Sequence, residues 1–253
     1  MRVVTTNHAA GATVLGADGL ALPAATGYAA ADLVRGTLDR PWRAASSALV
    51  SSIVLDIGAA RSITAAAVFD VFASVSGSPR VSVYTGTTAT GPWTKQADLT
   101  HGGRRDWGGF FAAASSRYWK VEIQPSLSLP TQPEVACIVL GAHQDLRRAE
   151  TGRDVESVEQ ILTNGSQATK TGEEFVRLSL RWGTLDATDH AELYALKRTL
   201  GGGLYPVALW PDAGSPGRVY WGRIGAGMRW TESVPVYTGH ALEFAEMERV
   251  LRG

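Results

Sequence analysis

The chain has 253 residues, and its 24 basic and 24 acidic side chains leave no net charge, so no long-range field draws it onto nucleic acid or an anionic membrane. No apolar run reaches the ~18 residues that a bilayer-spanning helix needs, and a single cysteine, Cys137, excludes an intramolecular disulfide framework. With 28 glycines and 11 prolines, the composition points to a mainly β protein with many turns, long enough for two domains with real cores.

Residues 1–27 hold only short apolar pairs, Val3-Val4 and Val14-Leu15, and read as an arm or edge strand. No continuous apolar signal core lies there, so synthesis in the cytoplasm is expected. A helical turn over 29–34 leads to the Asp39-Arg40-Pro41-Trp42 corner, where proline stops any helix. The stretch SSIVLDIGAARSITAAAVFDVF (51–72) carries Ile53, Leu55 and Ile57 on one face. A second row of period two follows: Ile63, Ala65, Ala67, Phe69 and Val71. Gly58 and a polar turn separate the rows, which predicts a hairpin of two strands.

Residues 101–111, HGGRRDWGGFF, place four glycines around Arg104, Arg105, Asp106 and Trp107. An arginine and aromatic set on so permissive a backbone either anchors a partner or closes one end of a sandwich with Trp107, Phe110 and Phe111. A charged run over 144–152 ends the first domain and puts the boundary near 146–155, so cleavage within 147–152 is expected to release two folded pieces.

Beyond the boundary, Val176, Leu178, Leu180 and Trp182 alternate with polar residues as a half-buried strand. The segment DATDHAELYALKRTLGGG predicts the principal helix. Asp186 or Thr188 caps it, Gly201 ends it, and Leu193, Leu196 and Leu200, with Ala191, form its buried stripe. Strands are expected over 205–210, 219–224 and 240–247. Trp182, Trp210, Trp221 and Trp230 then offer more apolar surface than one helix covers, which predicts self-association through the remaining face or an edge.

The order of pieces over 28–146 resembles a discoidin-like module, the type C domain of coagulation factors. AADLVRGTLDRPWRA, SSIVLDIG, RSITAAAV, the RVSVYTG strand with its GPWT hairpin, RYWKVEI and CIVLGAHQDL fall in the family's sequence. The resemblance implies a galactose-binding-like β-sandwich. With one cysteine, the terminal disulfide common in extracellular animal members is impossible. Residues 155–253 resemble the small domain of bacteriophage distal-tail and baseplate ring proteins. The pieces are RLSLRWGTLDATDHAELYALKRTLGGGLYPVALWPD, the Gly222-Arg223-Ile224 strand and HALEFAE. That resemblance implies an α+β unit with one principal helix against a sheet. The expected division is thus an arm (1–27), a sandwich (28–146) and a ring-type domain (155–253).

No short histidine ligand spacing, nucleophile elbow, P-loop or dinucleotide fingerprint is present, so no catalytic residue, metal or cofactor is expected. Trp42, Arg104, Arg105 and Trp107 are the candidate contacts for a ligand or partner; aromatic faces stack on sugars and arginines fork onto polar groups. The two resemblances together imply a structural component of a phage tail tip or baseplate, assembled in the host cytoplasm and displayed on the virion tail. Its expected partners are other copies of itself in a ring, neighbouring tail proteins and a host glycan. A glycan-binding attachment module, free-standing or accessory to a carbohydrate enzyme, is the alternative.

Overall fold

A computed structural model describes all residues except 73–78, 103–104, 126–129, 147–149, 157–159, 162–166, 169–174, 201–204, 225–228, 234–235 and 248–253. The sandwich half holds β2 (Thr13–Leu15), β3 (Trp42–Arg43), β4 (Ser51–Phe69), β5 (Arg80–Gly86), β6 (Trp93–His101), β7 (Trp107–Gln124), β8 (Glu134–Val135) and β9 (Cys137–Gly141). A second group comprises β1 (Arg2–Val4), β10 (Gln144–Asp145), β11 (Glu150–Glu156), β14 (Phe175–Leu185), β15 (Val207–Trp210), β16 (Tyr220–Ile224), β17 (Arg229–Ser233) and β18 (Val236–Glu246). Helix α1 (Ala187–Thr199) belongs with it, and β12 (Gln160–Ile161) pairs with β13 (Gln167–Ala168) alone. The chain is mainly β with antiparallel sheets and a single α-helix among the described residues, the class that the composition and periodicity predict.

The hairpin expected at Gly58 is corrected by the structure. Ser51–Phe69 is one strand of 19 residues paired along β7, with a register shift where Ile57 to Ala60 bulge opposite Arg117. Gly58 takes φ +80 and the Asp56 carboxylate accepts its N–H at 2.9 Å, so the turn chemistry is present but serves a bulge rather than a reversal. Arg117 reaches across to both oxygens of Asp56 at 2.7 Å and holds that carboxyl below the usual range.

A second shift between Ile63 and Ala65 breaks the predicted row. Ile63, Ala66, Val68 and Val71 enter the sandwich core with Ile53, Leu55, Trp119 and Val121, whereas Ala65, Ala67 and Phe69 face the other way. Strand β9 does the same, with Ile138 and Leu140 inside the sandwich and Cys137 and Val139 outside it.

That outer face is buried by the second group. Its sheet runs β10-β1-β15-β16-β18-β14-β11, with β17 beside β18. Its side chains alternate between two cores, as strand geometry requires. Val4, Ala208, Trp210, Val219 and Trp221 pack on the sandwich strands. Val3, Leu209, Tyr220, Leu180 and Phe244 pack on the far side with Leu193, Leu196 and Leu200 of α1. Asp186 caps α1, its carboxylate accepting the Asp189 N–H at 2.8 Å, while Ala191 is exposed and does not join the stripe. The apolar surplus read from the tryptophans is therefore covered within the chain at Trp182, Trp210 and Trp221, which are 4%, 0% and 1% exposed. The side chain of Trp230 lies outside the described residues.

Strand β1 deserves its place in this sheet for a physical reason: Val3 faces one core and Val4 the other, so even three residues bury apolar surface on both sides. It lies between β10 and β15, far from β2 on the edge of the six-stranded sandwich sheet. Close backbone approaches tie the two halves further. A Cβ on Gly102 would lie 2.0 Å from the Gly217 carbonyl oxygen, and one on Gly108 would lie 2.3 Å from that of Pro216.

Candidate functional site

Strand β3 pairs with β8, setting Arg43 opposite Glu134, and Glu134 in turn exchanges both backbone hydrogen bonds with Phe72, at 2.8 and 2.9 Å. Paired residues of antiparallel strands share a face, so Arg43, Glu134 and Phe72 project together. Arg43 forks its Nε and Nη2 onto one Glu134 oxygen and lies 4.7 Å over the Tyr28 ring. Arg105 lies 5.2 Å over Phe72 and 3.7 Å from the Asp70 carboxylate. The face therefore presents two guanidiniums, each against an aromatic ring and each beside an acid.

Burial differs sharply along this row. The side chains of Arg43 and Arg105 are 39% and 40% exposed, against 5% for Glu134 and 0% for Asp70. Burying two carboxylates is expensive unless charge and hydrogen bonds compensate, and the arginines supply that charge. The loops are held in sparsely populated backbone: Asp70 has φ +51 and Arg105 φ +59, both in the left-handed region. Two hydrogen bonds fix them, from the Asp70 N–H to the Asp106 carboxylate at 3.0 Å and from the Val71 N–H to the Arg105 carbonyl at 2.8 Å.

Of the residues singled out from the sequence, Arg105 is on this face and Arg104 lies outside the described residues. Trp42 and Trp107 are each 2% exposed. The Trp42 indole donates to the Pro23 carbonyl at 3.2 Å, and Trp107 stacks on His101 at 4.6 Å, so both rings are spent in packing. Arg43, Glu134, Phe72, Asp70 and Tyr28 were not singled out. A signal for two of them was present, because Asp70 interrupts the apolar run AAAVFDVF and Glu134 precedes VACIVLG. A charge inside an apolar run requires a partner.

A second polar group lies where β1 meets the sandwich. The Thr64 hydroxyl is 2.7 Å from His143 Nδ1, His143 Nε2 is 3.8 Å from Asp145, and Arg2 donates to Asp145 at 2.6 Å while lying 4.3 Å over Phe110. The order hydroxyl, imidazole, carboxylate is that of an activated nucleophile. Here, however, Thr64 Oγ1 also accepts the His143 backbone N–H at 2.9 Å, and the short bond of Asp145 goes to Arg2. The set fastens β1 and β10 to β4. Among the described residues no group of three or more metal-ligating side chains converges, and no helix is long and apolar enough to cross a membrane.

Burial, and secondly the charge of Arg2, push the His143 imidazole below its ordinary 6.5, and burial with Arg61 does the same to His8. A depressed histidine favours the fold while neutral. That contribution is complete above pH 6.5 and is lost as pH falls toward the lower folded values, because the unfolded chain takes up protons first. The melting temperature is therefore expected to drop between pH 7 and pH 5, and His143→Gln should flatten that drop. An unchanged pH profile in the variant would remove His143 from the account.

No family model matches the chain, and no curated protein matches it. Among solved structures, similarity covers about half of it. SpGH29 is 18% identical with a TM-score of 0.43 over 55% of this chain and 28% of that one. Thus the chain spans little more than a quarter of SpGH29. Chitosan-binding module 1 from a chitosanase/glucanase of Paenibacillus sp. IK-5 is 16% identical with a TM-score of 0.43, over 53% of this chain and 98% of the module. The lectin domain of lectinolysin, solved with Lewis B antigen, is 19% identical with a TM-score of 0.41, over 55% and 98%.

Proposed function

We propose that the chain is a non-catalytic, ligand-presenting component of a larger assembly. Its sandwich contacts a glycan through the face of Arg43, Glu134, Phe72 and Arg105, and its eight-stranded sheet mounts the sandwich. The observation that carries this reading is the unequal use of the sandwich surface. The outer face of β4 and β9 is consumed as a core against Trp210 and Trp221, while the side chains of two arginines elsewhere stay about 40% exposed, each beside a buried acid. A binding group on a fused scaffold suits display, because little ordering entropy remains to be lost when a ligand arrives.

The mounting we propose is the tail-tip or baseplate ring that the resemblance of the second half implies, with the protein on the virion tail. The strand, helix and strand succession of β14, α1, β15, β16 and β18 supports it. Among the described residues β11 pairs only with β14, and the proposal places a strand from a second copy or a neighbouring tail protein along its other edge. The two parts of the proposal have separate tests. Selective binding of the whole chain on a glycan array, lost in Arg105→Ala, is expected; its absence removes the glycan. Mass photometry alone and with neighbouring tail proteins should show rings, and a monomer in every mixture removes the assembly.

A further inference from the structure

We infer that the saccharide this face takes is an acidic one, carrying a carboxylate or a sulfate that meets the guanidiniums of Arg43 and Arg105. The inference rests on the glycan reading above. Its ground is which side chains of the face reach solvent. The side chains of Glu134 and Asp70 are 5% and 0% exposed and face inward onto their arginines, whereas the Arg43 and Arg105 side chains are 39% and 40% exposed. A guanidinium carries N–H donors and no acceptor. The charged groups that the row turns outward are therefore donors, with the acidic oxygens covered.

A neutral sugar binds through hydroxyls, each of which donates as well as accepts, and a face whose acidic oxygens are covered leaves the donating half unmet. Each hydroxyl proton that loses water without a new acceptor weakens binding. A carboxylate or sulfate only accepts. It matches the N–H donors that the two guanidiniums do not spend on their buried acids, and charge-assisted bonds of this kind are roughly twice as strong as neutral ones. The rings of Tyr28 and Phe72, at 4.7 and 5.2 Å from the two guanidinium carbons, fix the forks beforehand. Because each arginine is already balanced by a buried acid, selectivity comes from directed donors and not from a net positive patch.

The test is a titration of the whole chain against matched saccharide pairs in which one member lacks the acidic charge: sialyllactose and its carboxyl methyl ester, sulfated and unsulfated lactose, and oligogalacturonate and its methyl ester. The acidic member of at least one pair is expected to bind tenfold or more tighter than its neutral twin. The sialyl and galacturonate arms separate carboxylate from sulfate as the source. Arg43→Gln and Arg105→Gln should each reduce that binding tenfold or more and narrow the gap between twins. Since Arg43→Gln leaves Glu134 buried without its cation, Arg43→Lys and Arg105→Lys serve beside them; they keep the charge but lose the planar fork, and should also lose affinity. Neutral twins bound as tightly as acidic ones would overturn the inference while leaving the glycan reading in place. No saccharide bound at all would sink both.

Discussion

Trp221→Ala is expected to destabilise the protein by about 3–5 kcal/mol, the range for removing a large aromatic from a closed core. Trp221 is 1% exposed, sits 6.0 Å from Phe69 of the sandwich, and donates its indole N–H to the Gly36 carbonyl at 2.8 Å. Its loss opens a cavity between the halves and takes from the buried Gly36 carbonyl the indole donor it accepts from. Tyr194→Ala on the exposed side of α1, where the ring is 49% exposed, should stay within about 0.5 kcal/mol. Urea denaturation of both variants checks the contrast, and comparable losses would mean that Trp221 does not bridge the halves.

The second large effect concerns the chain cut in two. Residues 147–253 expressed alone are expected to be insoluble, and residues 1–146 supplied together with them should rescue a soluble complex. The reason is that β1 and β10, both on the first fragment, complete the sheet beside β15, and Met1, Val3 and Leu146 complete the core under α1. Without them, β15 becomes a bare edge, and Trp210 and Trp221 lose the sandwich strands that cover them. Proteolysis in the charged run at 147–152 should accordingly leave two fragments that elute together, where the sequence alone led to an expectation of separable pieces. A soluble, cooperatively unfolding 147–253 fragment would contradict this.

Much of the architecture was legible in the sequence. The cap at Asp186 and the leucine spacing located α1, the short-range alternation located β14, and a strand was expected over 205–210, where β15 lies. What misled was parity and distance. Period two carried past Thr64 put Ala65, Ala67 and Phe69 in one row with Ile63 and Val71, because a bulge leaves no mark in an alanine run. The unbroken apolar character of ITAAAVF and CIVLG was itself the better signal, since strands buried on both faces do not alternate.

Of the residues on the proposed face, Arg105 was among the contacts drawn from the sequence, by way of its glycine-rich loop. Asp70, a charge inside AAAVFDVF, and Glu134, just ahead of VACIVLG, carried a local signal although neither was singled out. Arg43 and Tyr28 did not, because their place beside Glu134 depends on strand pairing across 91 residues, for which the sequence carries no local sign. Similarly, Val3-Val4 gives too short a pattern to reveal that Arg2 pairs with Trp210.

The proposed display role stands on the sandwich and the sheet being one body, and the thiol of Cys137 reports on that directly. It is fully buried on the shared face, and burial pushes its pKa up to about 12, so it is neutral and inert while the halves are closed. The measurement is the rate of Cys137 labelling by a thiol reagent at increasing urea, beside the unfolding curve. The account predicts that the free energy of exposing the thiol equals that of global unfolding. Labelling that proceeds well below the unfolding transition, with both halves still folded, would show that they part freely and would contradict it.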